Sequence, residues 1–344
     1  MKIFYVSSYG KNNHKGIYIV KLNEETQELS VIQHIITPDY PSYMLVKNNN
    51  LYITYKNANR LNNGGGLGSF AIYKDELIIN NSYNSNGRSY THLYVSDNER
   101  YLFAANYQVG ATDAYLLDNN RIKEKICSMP HSGLGPDLLK RQTGPHCHYI
   151  GSTPDNKYIY AVDLGADRII MYQCNEGVLK EAPNHNFNVI PGSGPRHMIF
   201  SQDGNFAYLV NEIANNIMVF KYRDEYLNLI QVINTTPRHF HGFSSASGIK
   251  ISNSGNHLFV SNRGHDSIAL YRINQETGKL TLLYMVHTGK NPRDFNLIDD
   301  KYIIVGAKDD NEIELFTFNE DKEELVRTAN TLSIFEPVCI AVNV

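Results

Sequence analysis

The sequence predicts an all-β fold, a seven-bladed β-propeller with four-stranded antiparallel blades. The prediction rests on a unit that recurs seven times and on chain ends that complete one another. The unit is a short β-type segment, a polar turn, and a second β-type segment ending in an aromatic or aliphatic residue. Its copies begin at Ile3, Leu51, Tyr101, Tyr158, Ala207, Leu258 and Tyr302. The intervals between them are 48, 50, 57, 49, 51 and 44 residues, the spacing of propeller blades. Tyr, Val, Ile and Phe dominate the copies, and turn pairs such as Asp203-Gly204 and Ser254-Gly255 punctuate them. No helical period is sustained, which excludes helical repeats.

The innermost strand of each blade is expected just ahead of its copy. Candidates are PSYMLV from Pro41, THLYVS from Thr91, GPHCHYIGS from Gly144, GPRHMIFS from Gly194, SASGIKIS from Ser245 and NPRDFNLI from Asn291. The first copy has no such strand before it, whereas EPVCIAVNV, from Glu336, follows the last. The C-terminal strand is therefore expected to join the N-terminal blade and close the ring without an unpaired edge. On this reading residues 1–344 form a single propeller domain.

Composition narrows the function classes. Lys and Arg number 32 against 35 Asp and Glu, a formal net charge of −3, and neither sign is gathered into blocks, so nucleic acid is not an expected partner. The opening MKIFYVSSYG reaches Ser7, Ser8 and Gly10 too soon to make a secretory signal core. No run approaches the roughly 20 apolar residues of a membrane span. A soluble, cytoplasmic protein is expected. Cys127, Cys147, Cys174 and Cys339 show no CxxC pairing and are read as reduced thiols.

Strands alternate in direction within a blade, so the loop entering the inner strand and the loop leaving the second strand lie at the same end of the channel. The first kind of loop carries His92, His146, His148, Arg196, His197 and Arg293. The second carries Asn106-Tyr107, Asp163, Asn211-Glu212 and Asn262-Arg263. All are expected near one mouth, the usual place for a small-molecule site in such a ring. The longest interval owes its length to HSGLGPDLLKRQTGPHCH, between His131 and His148, which should overhang that mouth and bring Arg141-Gln142 toward it. A surface elaboration is the alternative for this loop. Gly64 to Gly68 lack the following Lys and helix of a phosphate loop and read as a flexible blade-two loop.

The segments RQTGPHCH (141–148), DLGADRI (163–169), GSGPRHMIFSQDGNFAYLVNE (192–212), SNSGNHLFVSNRGHDSIALY (252–271) and NPRDFN (291–296) resemble, in order and spacing, the lactonase family of seven-bladed propellers. That family includes a 6-phosphogluconolactonase type and the carboxy-muconate lactonizing enzymes. The resemblance covers essentially the whole chain. It implies a catalytic group of His148, Arg196, Glu212 and Arg263, and it fits lactone hydrolysis or the cycloisomerase direction; no organic cofactor is implied.

The residue types suit lactone opening, which needs a group to activate water and donors where charge develops on the carbonyl oxygen. Glu212 is the candidate base, kept ionised by nearby arginines, and His148 is able to share that role or steer the ring. Arg196 and Arg263 suit a bound anion and the oxyanion. His92, His146, His197, Asn106 and Arg293 are candidate substrate contacts, with His146 and His148 on one strand face and Cys147 on the other. Each has a bland alternative: hydrogen bonding to loops for the glutamate and histidines, ties between blades for the arginines. A metal held by His146, His148 and Glu212 is disfavoured because the arginines repel a cation, and no metal site is expected. A sugar lactone is the leading substrate class, with 6-phosphogluconolactone of the pentose phosphate pathway as the expected substrate. A muconate-type cycloisomerase and a non-catalytic binding propeller are the alternatives. The second is weakened because, with no Trp in the chain, the WD dipeptide cannot occur.

Overall fold

The computed structural model describes residues 1–57, 64–137 and 141–343. Val344, residues 58–63 of the blade-two loop and residues 138–140 of the long loop lie outside the described residues. The described chain folds into seven antiparallel sheets, each built on a path of four strands. The sheet of blade four, Cys147–Ser152, Ile159–Asp163, Arg168–Asn175 and Val178–Glu181, gains a two-residue fifth strand, Phe187–Asn188. In six blades the strands follow chain order from the channel outward.

Blade one is the exception, and it closes the ring. Its strands Lys2–Ser8, Gly16–Leu22 and Leu29–Ile35 are completed by Pro337–Val342, which pairs antiparallel with Lys2–Ser8. The register matches Phe4 with Val342, Val6 with Ile340 and Ser7 with Cys339. That pairing gives the N-terminal strand its inner neighbour, so neither edge is left as a template for another chain.

Between blades the core is aliphatic and aromatic. Phe206, Tyr208 and Val210 of blade five pack against Leu258, Val260 and Tyr271 of blade six, and Phe4, Val6 and Ile340 of blade one pack against Tyr302 and Ile304 of blade seven. Tyrosines fill the wedge-shaped gaps and use their hydroxyls as ties. Tyr52 donates to Asn120 Oδ1 at 3.3 Å, Tyr160 to the Met198 carbonyl at 2.8 Å, Tyr208 to the Gly278 carbonyl at 3.1 Å and Tyr302 to the Glu24 carbonyl at 3.2 Å, each crossing to the next blade. The four cysteines are free, and Cys147 and Cys339 are buried in this core.

One irregularity repeats around the channel. The inner strands slip register between Pro41 and Tyr43, Tyr90 and His92, Cys147 and Tyr149, Pro195 and His197, Ala246 and Ile249, and Pro292 and Asp294. Blade one slips likewise, where Pro337 and Cys339 face Ser8 and Ser7. A bulge adds a residue to one strand, bends it and re-aims the side chain there. The added residues include His148, Arg196 and Arg293.

The glycine-rich stretch of blade two differs from expectation. Gly66 to Gly68 belong to the strand Gly66–Tyr73 and not to a flexible loop. A side chain at Gly66, where φ is +141°, would meet the Tyr83 carbonyl oxygen at 2.0 Å, so glycine lets two strands approach closely.

Ring closure has a measurable consequence. A chain ending at Glu336, without residues 337–344, is expected to aggregate or to melt without a cooperative transition, because the edge of Lys2–Ser8 is uncovered and the packing of Ile340 and Ala341 on the neighbouring blades is lost. Thermal melting and size-exclusion chromatography check this; a monodisperse product with a cooperative melt refutes it.

Candidate active site

The GSGPRH segment shows why the mouth forms where it does. Asp167 accepts the N–H groups of Gly192 and Gly194 at 2.6 and 2.8 Å, folding the loop onto the end of blade four. Gly194 has φ +59°, and a Cβ there would lie 2.5 Å from the Ile213 side chain, so the turn demands glycine. Its carbonyl then accepts the N–H of Glu212 at 2.7 Å, which fixes the glutamate beside the bulge that carries Arg196.

Glu212 is the centre of an ion cluster. Its Oε2 takes Nε of Arg196 at 3.0 Å and Nη2 of Arg263 at 2.8 Å, and its Oε1 takes Nη2 of Arg141. Arg196 also donates through Nη1 to the Ser247 carbonyl at 2.9 Å and lies 3.0 Å from Nε2 of His197. Because arginine only donates, that imidazole nitrogen is the acceptor. Arg263 is held by the Ser245 carbonyl at 3.2 Å and the Ser245 hydroxyl at 2.8 Å.

Burial alone would raise the Glu212 carboxyl, but the guanidiniums of Arg263, Arg196 and Arg141 outweigh it and hold the group well below the usual carboxylate range. Burial, then the neighbouring Arg263, brings the Arg196 guanidinium down to about 9, which leaves it charged at neutral pH. Burial, then Arg196, pushes the His148 imidazole well below its ordinary value, so it is neutral. Its Nδ1 has no partner among the described residues.

The other expected contacts separate into layers. His146 lies flat against Tyr107, ring centroids 4.5 Å apart, and its Nδ1 is 2.9 Å from the Tyr107 carbonyl. Tyr107 meets His148 edge-on at 5.6 Å, so it joins both histidines at the mouth. Arg293 sits over the Tyr9 ring at 5.9 Å, with no carboxylate in ion-pair reach among the described residues. His92 and His197 lie deeper. With Tyr43 and Tyr149 they floor the mouth, and they line a channel cavity of about 200 Å³ that also holds Lys250 and Asp294. Burial depresses both imidazoles well below their ordinary value. Asn106 does not face the mouth: it is fully buried, donates to Asp113 Oδ2 at 3.3 Å and accepts the Val109 N–H at 3.4 Å, so its amide holds the turn.

Two supports were not singled out from the sequence as site residues. Arg141 comes off the long loop to reach Glu212, while Gln142, expected to reach the mouth with it, is buried and ties the loop to the Leu164 carbonyl at 2.8 Å. Asp163 accepts the His146 N–H at 2.8 Å and meets Nδ1 of His131 at 2.5 Å, and Nε2 of His131 is 3.0 Å from Thr112 Oγ1. This buried chain anchors the segment that presents His148. Among the described residues no three His, Cys, Asp or Glu side chains gather as metal ligands do, and no helix is long and apolar enough to cross a membrane. His146 is turned onto Tyr107, away from a shared ligand set with Glu212.

Fold and cluster together define a propeller whose channel mouth offers an ionised carboxylate, several arginines and a neutral histidine to a small anionic or carbonyl-bearing molecule. The model of the family described as lactonase, 7-bladed beta-propeller, matches residues 3–342. A 6-phosphogluconolactonase of Bacillus subtilis is 33% identical over 346 residues, covering 98% of this chain and 97% of that one. Among solved structures, a periplasmic gluconolactonase of Pseudomonas aeruginosa superposes with a TM-score of 0.91 at 25% identity, covering 98% of each chain. A protein from Lactobacillus plantarum does so with a TM-score of 0.91 at 26% identity, again over 98% of each chain. The chain belongs to the lactonase family of seven-bladed β-propellers and is an enzyme of the lactonase type.

The cluster predicts its own stability signature. Glu212→Gln leaves Arg196 and Arg263 buried without their counter-charge, and about 3–5 kcal/mol of destabilisation is expected at neutral pH. Because the folded carboxyl lies below its unfolded value of about 4.3, its stabilisation is present above that pH and fades as pH falls through the lower folded value. The gap between wild type and variant in chemical denaturation should therefore narrow in acid. Equal stability at neutral pH would show that the carboxylate does not hold the cluster.

Proposed function

We propose that the protein hydrolyses a phosphorylated sugar lactone, 6-phosphogluconolactone, to 6-phosphogluconate, in the cytoplasm where phosphorylated sugars are kept. The observation that carries this reading is Glu212, an ionised carboxylate fixed through Oε2 by two arginines beside a neutral histidine at the channel mouth. The name of the Bacillus subtilis relative supports the phosphorylated substrate.

In this mechanism Glu212 accepts a proton from water through Oε1, and the hydroxide attacks the lactone carbonyl carbon. Nη2 of Arg196, which the contacts above leave over, and the guanidinium of Arg293 donate to the developing oxyanion. Collapse of the tetrahedral intermediate breaks the bond to the ring oxygen. His148 hydrogen-bonds that oxygen, and the proton taken up by Glu212 is returned to it. The new carboxylic acid then ionises to solvent. His146 and Tyr107 flank the sugar ring at the rim.

Steady-state hydrolysis of 6-phosphogluconolactone and gluconolactone, corrected for spontaneous opening, tests the reading. The phosphorylated substrate is expected to have the higher kcat/KM. Preference for gluconolactone would place the chain with its periplasmic relative in substrate, and activity on neither would end the proposal. Arg293→Met is expected to lower kcat by about 100-fold or more with a smaller change in KM, as for loss of an oxyanion donor. Wild-type kcat from the Arg293→Met enzyme would remove Arg293 from the chemistry. Since Glu212 is held ionised, kcat/KM on gluconolactone, which carries no phosphate to titrate, should show no acid limb between about pH 5 and 8.

A further inference from the structure

Arg141 is the one arginine paired with Glu212 that no blade strand holds. It lies on the loop before the inner strand of blade four, its own N–H donating to Asp137 Oδ2 at 2.8 Å. Its guanidinium crosses to Oε1 of Glu212 and interacts with the Tyr107 hydroxyl on the way. Its side chain is 39% exposed, against 16% for Arg263 and 4% for Arg196. The half-solvated pair is the easiest of the three to break, because water replaces part of what the guanidinium loses.

That contact conflicts with catalysis. Arg196 and Arg263 occupy Oε2, so Oε1 is the oxygen that remains for water, and Arg141 covers it. A carboxylate capped in this way is a weaker base and leaves water less room at Oε1 until the guanidinium moves away. A phosphate monoester is the ligand suited to draw it off, since it offers more negative charge than a carboxylate and oxygens spaced for bidentate arginine contact.

The geometry points to Arg141 as a phosphate-sensing specificity residue: it caps Oε1 of Glu212 in the free enzyme and turns to the phosphate of a phosphorylated lactone, uncapping the base as that substrate binds. This rests on the reading of Glu212 as the base. A lactone without phosphate leaves the cap in place and is turned over slowly, so selection acts on the chemical step as well as on affinity.

Arg141→Gln removes both roles, and they pull in opposite directions. On 6-phosphogluconolactone kcat/KM is expected to fall by about 100-fold, with Arg141→Lys recovering part of it. On gluconolactone the same Gln variant is expected to be faster than wild type, about three- to tenfold, because Oε1 is uncovered. Inorganic phosphate added to wild type should accelerate gluconolactone opening and should not accelerate it in Arg141→Gln. Equal losses on both substrates, or no change on either, overturn the proposal. Glu212→Gln separates the two readings: if that variant retains activity on both lactones, Glu212 is not the base and the mechanism itself falls. If it is inactive on both while Arg141→Gln shows no opposed changes, only the role of Arg141 falls.

Discussion

The pairing of Pro337–Val342 with Lys2–Ser8 sets the circumference on which everything else depends. A propeller's blades are separate sheets, and their inner strands converge on one axis only when the ring is complete. The mouth takes His148 from blade four, Arg196 and Glu212 from blade five, Arg263 from blade six and Arg293 from blade seven. Blade seven packs directly on the closing blade, through Tyr302 and Ile304 against Phe4 and Ile340. A strand at the far end of the chain thus fixes the distance across a site to which it contributes no charged group.

Within that ring, the bulges decide which side chains meet. A regular strand would send neighbours to opposite faces, yet Arg196 reaches Glu212 while His197, next to it, lines the deeper channel cavity. The same holds for His148 at the mouth and Tyr149 in the floor. The extra residue at each slip lets successive side chains share the channel side at two depths, charged above and aromatic below.

Legibility in the sequence follows from the same physics. The blades could be read because strand residues, turn pairs and spacing repeat, and the closing strand because EPVCIAVNV had no other partner. Strand direction placed His148, Arg196, Glu212 and Arg263 among a larger set of polar residues at one mouth, and the family resemblance singled out these four. The depth of His92 and His197 did not, since a bulge leaves no mark in the pattern of residues. Asn106 and Tyr107 are adjacent and both polar-capable, and only the turn toward Asp113 shows that the first is buried and the second faces the rim. Gly66 looked like loop because glycine is permissive, whereas a close strand crossing selects it for lack of a Cβ. Arg141 reaches a glutamate 71 residues away, a contact made by the path of the long loop.

The charge balance of the mouth bears on what it receives. Arg141, Arg196, Arg263 and Arg293 against Glu212 give +4 − 1 = +3 in a chain whose formal net charge is −3. Concentrating that excess in a partly buried pocket costs free energy through mutual repulsion, visible in the downward push of Arg263 on Arg196. A single carboxylate relieves only part of it. The arrangement is most stable when further negative charge enters, and on the proposed function a doubly charged phosphate and a developing oxyanion are what would supply it. On the proposed mechanism the repulsion among the arginines is in this way coupled to binding and to the transition state, and the fold supplies the stability that holds them together.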